Sequence, residues 1–204
     1  MMVSAKDKYE KPTKRVNELW QTDFTHLKVQ GWGWYYLSTV LDDYSRYILA
    51  WKLSKTMATR DVQDTLELAL ARTNLERVKV RHYPRLLSDN GPCYVSHELK
   101  RYLKRKHIEH IRGAPSPHRK IERYHRSIKN VVKMQNYYYP WELEQAIEGF
   151  VGYYNHSRYH EALDNLTPED VYIVRVEEVK SRRELIKEKT LQKRRVENLQ
   201  TVCV

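Results

Sequence analysis

The first half of the chain carries short runs of apolar, aromatic and β-branched residues that favour a β-meander. Residues 19–29, 34–41 and 47–53 form three such runs, and Gly, Asp and Ser lie between them. Short connections between consecutive strands predict that these three strands pair antiparallel. Two further apolar runs, at 85–88 and 108–112, predict a fourth and a fifth strand.

Elsewhere the apolar residues recur at the period of a helix. The predicted helices span residues 59–72, with Thr59 as the cap, a segment that begins at Ser96, residues 118–134 and residues 141–154. A loop at 113–117 contains two prolines, which interrupt regular structure before the third helix. The order β-β-β-α-β-α-β-α-α predicts an α/β fold with a mixed five-stranded sheet flanked by helices.

The polarity of the two ends divides the chain into three parts. Residues 1–17 are polar and basic and predict a flexible N-terminal segment. Residues 18–160 contain the predicted strands and main helices and form the expected core domain. Residues 161–204 are dense in Lys, Arg and Glu and predict a basic, helical C-terminal tail.

The charge of the chain indicates a polyanionic partner. Lys and Arg number 37 against 26 Asp and Glu, for a net charge of +11. Residues 99–133 hold twelve of the bases and two acids, with Tyr and His between them. This pattern favours a nucleic-acid surface, with a solvated protein surface as the alternative.

Other features of the composition exclude whole classes of protein. Two cysteines are too few for a disulfide framework or a cysteine-based zinc site. The N-terminus does not resemble a signal peptide, and no apolar run is long enough to span a membrane. We therefore expect a cytoplasmic protein without a membrane partner.

Three carboxylates occupy positions that suggest chemistry. Asp23 lies inside the first strand, Asp89 ends the fourth, and Glu122 lies on the helix after the two-proline loop. In a mixed sheet the first and fourth strands can be neighbours, which would bring the two aspartates together, and a packed helix could add the glutamate. Carboxylates that lie close together repel one another unless cations neutralise them, and oxygen ligands suit Mg²⁺ or Mn²⁺. Two such ions could bind the attacking and leaving oxygens of a phosphoryl displacement.

Bases follow Glu122 at helical spacing. Arg126 and Lys129 lie within about 40° of Glu122 around the helix axis, so one face would present an acid and then two bases. The candidate DNA-binding residues on this helix are Arg119, Lys120, Arg123, Arg126 and Lys129. Asp42 and Asp43 resemble a metal pair, but neighbouring residues at a strand end point to opposite faces, which favours a structural role in a hairpin.

Several separate blocks resemble one known family. They are 20–25 (WQTDFT), 41–46 (LDDYSR), 88–91 (SDNG) and 120–126 (KIERYHR), with further similarity near 154–168. They resemble the integrase core of bacterial insertion-sequence transposases, relatives of retroviral integrases, over about residues 17–195. The resemblance implies an RNase H-like fold, metal-dependent DNA cleavage and strand transfer in transposition, and an Asp-Asp-Glu triad formed by Asp23, Asp89 and Glu122.

The resemblance also implies partners and leaves an alternative open. We expect DNA (element ends and target), homo-oligomerisation, a separate helix-turn-helix protein from an upstream reading frame, and a location in the bacterial cytoplasm at the nucleoid. Thirty-two residues separate Asp89 from Glu122, three fewer than is usual in the family. The alternative is therefore a catalytically inactive DNA-binding remnant; a nuclease that does not join strands is a second.

Overall fold

The computed structural model describes residues 12–75, 82–113 and 119–202. The strands are β1 (Leu19–Val29), β2 (Gly33–Asp42), β3 (Ile48–Ser54), β4 (Arg85–Ser88) and β5 (Glu109–Arg112). They form one sheet in the order β3-β2-β1-β4-β5, in which β1 pairs antiparallel with β2 and parallel with β4. The predicted mixed five-stranded sheet, with the first and fourth strands as neighbours, is therefore confirmed.

The helices follow the predicted order with two short additions. They are α1 (Thr59–Thr73), α2 (Pro92–Val95), α3 (His97–Arg105), α4 (Arg119–Val132), α5 (Pro140–His156), α6 (Pro168–Tyr172) and α7 (Val176–Val202), with a 3-10 turn at Glu161–Leu163. Short α2 and the 3-10 turn have too few residues to show a helical period. The predicted two-proline loop lies, apart from Gly113, outside the described residues. None of these helices has an apolar stretch long enough to cross a membrane.

The sheet separates two apolar clusters, because successive side chains of a strand point to opposite faces. Trp20 of β1 packs in a cluster with residues of α1 and α3. Leu27, an odd number of positions away, packs in the other cluster with residues of α4 and α5. Helix α4, which carries Glu122, is held there by Ile121, Tyr124 and Ile128, all buried.

Two details at element ends differ from the sequence expectation. Thr59 does not cap α1: the N-cap is Ala58, whose N–H donates to Asp61 Oδ2 over 3.0 Å, while the Thr59 hydroxyl donates to Ser96 Oγ. The Asp61 carboxylate therefore satisfies an N–H that helix geometry leaves without a partner. Ser96 does cap α3, since its Oγ accepts from Leu99 N over 3.1 Å.

The turn after β2 is built around buried carboxylates. Asp42 Oδ2 accepts from the N–H and the hydroxyl of Ser45, and Asp42 Oδ1 accepts from Asn17 N over 2.7 Å. The Thr13 hydroxyl donates to Asp43 Oδ2 over 2.7 Å. Thr13 and Asn17 are thus held against the turn, where the sequence predicts a flexible segment.

Candidate active site

Asp23 lies in β1, just beyond the stretch that pairs with β4. Strand β4 pairs with β1 only over Leu19, Trp20 and Gln21. The Asp23 carboxylate is partly exposed, at 25%, and its Oδ1 accepts from the N–H of Phe24 over 2.8 Å. One carboxylate oxygen is therefore held by the local backbone, while Oδ2 faces helix α4.

Asp89 follows the last residue of β4 at the same end of the sheet. Gln21 is paired with Leu87, so continuing the register by two residues in each strand sets Asp23 level with Asp89. Neighbouring strands lie about 4.8 Å apart, so this register, if it continued into the turn, would bring the two aspartates close together. Asp89 is exposed, and its Oδ1 accepts from Gly91 N over 2.9 Å in the turn that follows.

Asp23 and Asp89 both influence the pKa values of two residues of helix α2. Burial and then the Asp89 carboxylate raise the pKa of the Cys93 thiol to about 11, with a smaller effect from Asp23. Burial and then Asp23 hold the pKa of Tyr94 well above its usual value, with Asp89 again contributing. Cys93 is therefore a protonated thiol near neutral pH and not an activated nucleophile.

Glu122 projects from the first turn of α4 into an open groove beside β1. The groove is lined from β1 by Asp23, Phe24 and Thr25, and from α4 by Glu122, His125, Arg126, Lys129, Asn130 and Lys133, the last just past its end. Two of the three predicted acids thus line one groove, and the third, Asp89, directly follows β4, the strand that pairs with β1.

The donor set fits a hard divalent cation in its chemistry. All three side chains offer carboxylate oxygens, which Mg²⁺ and Mn²⁺ prefer. Over the ranges that the structure describes, however, no three His, Cys, Asp or Glu side chains stand close enough to hold an ion. Asp23 and Glu122 line one groove, but the three carboxylates are not at coordinating distance.

His125 is a member of this site that the sequence reasoning missed. Its ring is buried, and Nδ1 lies 3.4 Å from Asp23 Oδ2. Its Nε2 has no hydrogen-bond partner among the described residues. Its spacing in the sequence could have identified it. His125 lies three residues after Glu122, and residues three apart lie on nearly the same face of a helix.

The predicted bases divide into different environments. Arg126 and Lys129 line the groove with Glu122. Burial and then Lys133 lower the pKa of Lys129, whereas the Asp23 carboxylate opposes that change. Lys133, which was not predicted, also lines the groove.

The other three predicted bases, Arg119, Lys120 and Arg123, are not among the residues that line the groove. Arg123 is exposed on α4. Lys120 donates to both the carbonyl oxygen and Oδ2 of Asp43, each over 2.8 Å. Arg119 begins α4, and its side chain lies outside the described set.

Comparison with known families assigns the chain. The family described as "Integrase core domain" matches residues 13–117, and a second family of the same description matches residues 105–168. The first match alone covers more than half of the chain, so the protein belongs to the integrase core domain family.

Individual relatives agree with this assignment. Transposase InsF for insertion sequence IS3A of Escherichia coli (strain K12) is 33% identical over 100 residues, covering 49% of this chain and 32% of the relative. The Gag-Pro-Pol polyprotein of mouse mammary tumor virus (strain BR6) is 31% identical over 132 residues, covering 61% of this chain and 7% of the polyprotein. The matches therefore span a third or less of these relatives.

Solved structures support the fold. The HTLV-2 integrase catalytic core domain in complex with magnesium matches with a TM-score of 0.60 and 22% identity, covering 78% of this chain and 97% of that one. The catalytic core domain of BIV integrase matches with a TM-score of 0.54 and 21% identity, covering 81% and 99%. The α/β fold is thus RNase H-like, as these integrase cores are.

Proposed function

We propose that this chain is the catalytic core of a DNA transposase, which cleaves a DNA strand and transfers its 3′ end to target DNA. The observation that carries the proposal is that Asp23 and Glu122 line one groove, while Asp89 directly follows β4, the strand that pairs in parallel with β1. Arg126 and Lys129 line the same groove beside the acids. This arrangement pairs a candidate cation site with phosphate-binding bases, which is what a DNA strand at the site requires.

Each residue has a defined role in this proposal. Asp23, Asp89 and Glu122 would hold two Mg²⁺ or Mn²⁺ ions. When bound, such ions activate the attacking and the leaving oxygen of an in-line phosphoryl displacement. Arg126 and Lys129 would bind phosphates on either side of the scissile bond, and Arg119 and Arg123 would extend that contact along α4.

The chemistry needs no covalent enzyme intermediate. In cleavage, a water oxygen forms a bond to phosphorus, the bond from phosphorus to the 3′ oxygen breaks, and that oxygen leaves as a 3′-OH. In strand transfer, the 3′-OH forms a bond to a target phosphorus, and the target's own 3′ oxygen leaves. Both steps are the same displacement, so one set of carboxylates can serve both.

The proposal includes partners and place of action. Self-association is supported by similarity to a simian T-cell lymphotropic virus intasome chain, with a TM-score of 0.65 and 20% identity over 79% of this chain and 56% of that one. We also propose that a separate helix-turn-helix protein recognises the element ends. The reaction would take place at the bacterial nucleoid, where the DNA substrate lies.

A plasmid assay tests the proposed reaction. Purified protein is incubated with supercoiled plasmid and a labelled duplex oligonucleotide in Mg²⁺ or Mn²⁺, and both nicked circles and plasmid-joined label are measured. We expect both products, and a rate loss on the order of 100-fold in Asp23→Asn, Asp89→Asn and Glu122→Gln. Glu98→Gln, at an exposed glutamate of α3, is the control.

The outcomes separate the alternatives. Nicked circles without joined label indicate a nuclease. DNA binding without either product indicates the inactive remnant. DNA affinity, measured in the presence of a chelator, must stay within about twofold in the acid variants for a rate loss to count as loss of catalysis.

A further inference from the structure

A buried polar network joins the strand that carries Asp23 to the helix that carries Glu122. Its centre is Asp43, a buried carboxylate in the turn after β2. Asp43 Oδ1 accepts from Gln21 Nε2 over 2.7 Å. Asp43 Oδ2 and the Asp43 carbonyl oxygen both accept from Lys120 Nζ over 2.8 Å. The turn is thereby bonded to both β1 and α4.

Gln21 closes the network with its other amide atom. Its Oε1 accepts from the backbone N–H of Ile121 over 3.1 Å, and its side chain is fully buried. The Ile121 N–H belongs to the first turn of α4, where helix geometry leaves N–H groups without a backbone partner. The Gln21 amide thus takes the place of a helix cap while its N–H₂ group holds Asp43.

Gln21, Lys120 and Ile121 of the network lie close to the predicted catalytic acids in the sequence. Gln21 precedes Asp23 by two residues on the same face of β1. Lys120 and Ile121 directly precede Glu122. The bonds therefore fix the first turn of α4 relative to β1 beside the groove that Asp23 and Glu122 both line.

Apolar contacts hold the rest of α4 independently of this network. Tyr124 and Ile128 are buried in the cluster shared with α5. Weakening the network should therefore leave α4 packed on the sheet, with the Ile121 side chain still buried, and loosen only the polar anchoring of its first turn. The Glu122 carboxylate would then lose its position while the fold is kept.

We infer that Gln21, Asp43 and Lys120 are positioning residues that set the Glu122 carboxylate against Asp23. This inference rests on the proposed function, because it assumes that both acids serve one site. The sequence predicted that Lys120 contacts a DNA phosphate. The inference gives it a different role, because its ammonium group donates two hydrogen bonds to Asp43.

The test compares Lys120→Met, Lys120→Arg and a matched control, Lys52→Met. The Lys52 side chain is 35% exposed and paired with Asp64, while that of Lys120 is 33% exposed and paired with Asp43. Three quantities are measured on the full chain: amide exchange of Ile121, Mn²⁺ affinity by calorimetry, and the single-turnover cleavage rate with the protein in saturating excess over DNA.

We expect slow exchange of the Ile121 amide in the wild type, although it lies in a first helical turn. Lys120→Met should accelerate this exchange on the order of tenfold or more, weaken Mn²⁺ binding severalfold and lower the cleavage rate on the order of tenfold. DNA affinity should stay within about twofold. Lys120→Arg should restore much of each loss, and Lys52→Met should change none of these quantities.

Two results would overturn the inference. One is a Lys120→Met protein with reduced DNA affinity but unchanged Ile121 exchange and Mn²⁺ affinity, which would make Lys120 a phosphate contact. The other is wild-type exchange of Ile121 as fast as that of an unprotected amide. Amide exchange is measured without DNA, so it tests whether the network holds the first turn of α4 even if the wild type does not cleave DNA. A failure of the wild type to cleave would count against the proposed function instead.

Discussion

His125 Nδ1 lies 3.4 Å from Asp23 Oδ2, so the helix that carries Glu122 also supports the first aspartate of the site. The other oxygen of that carboxylate is held by Phe24 N. Both oxygens of Asp23 thus have a protein neighbour, and the carboxylate has little freedom to turn away from the groove. Preorganisation of this kind matters because small misplacements of a catalytic group are costly.

Replacing His125 should therefore slow catalysis without weakening DNA binding. We expect His125→Ala to lower the single-turnover cleavage rate about tenfold, which corresponds to roughly 1.4 kcal/mol in the activation barrier. Ser127→Ala on the same helix is the control and should be unchanged. An unaltered rate in His125→Ala would show that Asp23 does not depend on this contact.

The packing of α4 predicts a stability difference between two neighbouring positions. Ile128 is fully buried in the cluster with α5, whereas Val131 is 53% exposed. Ile128→Ala should lower the free energy of unfolding by about 3 kcal/mol, because it leaves a cavity. Val131→Ala should change it by less than about 0.5 kcal/mol. Denaturant unfolding measures both, and similar losses at the two positions would contradict this packing.

The groove bases predict a salt dependence of DNA binding. Each phosphate contact contributes about 0.9 to the slope of log affinity against log salt concentration. Arg126→Met and Lys129→Met should each reduce the magnitude of that slope by roughly 0.9. Arg105→Met, at an exposed base of α3, should leave it unchanged. Equal reductions in all three variants would mean that DNA binds without preference for the groove.

Asp42 predicts a pH effect on stability. Burial raises its pKa from 3.8 to about 6, against the opposing effect of hydrogen bonds from Ser45 and Asn17. Because the pKa in the folded state is the higher one, the contribution of Asp42 to stability is fully present below pH 3.8 and is lost as the pH rises through about 6. The loss amounts to about 3 kcal/mol.

Carboxyl titration by NMR measures this directly. The Asp42 signal should titrate near pH 6, and the difference in free energy of unfolding between wild type and Asp42→Asn should change over the same interval. Titration of Asp42 near 3.8 would show that its hydrogen bonds fully offset the effect of its burial.

Much of the fold was predictable because it depends on local patterns. The apolar runs located β1 to β5, and the helical period located α4 and α5 close to their observed ends. The cap of α1 was not predictable in this way: Thr59 has the right chemistry, but its hydroxyl is directed to Ser96 of another helix. A tertiary contact decided between two plausible local arrangements.

The candidate site likewise contains residues that local sequence patterns predict and contacts that they do not. Asp23, Asp89 and Glu122 stood out because their positions in strand, strand end and helix were readable from sequence. The contact of Lys120 with Asp43 spans 77 residues, and the contact of His125 with Asp23 spans 102. Pairings over such separations follow from how α4 packs on the sheet, which residue patterns in one sequence do not specify.

The most direct test of the central claim is calorimetric binding of Mn²⁺ to the wild type and to Glu122→Gln, with Glu98→Gln as the control. If Asp23, Asp89 and Glu122 form one cation site, the wild type and the control will bind alike and Glu122→Gln will bind at least about tenfold more weakly, since it removes a charged ligand. Equal affinity in all three proteins would contradict the account, because Glu122 would then not take part in the site.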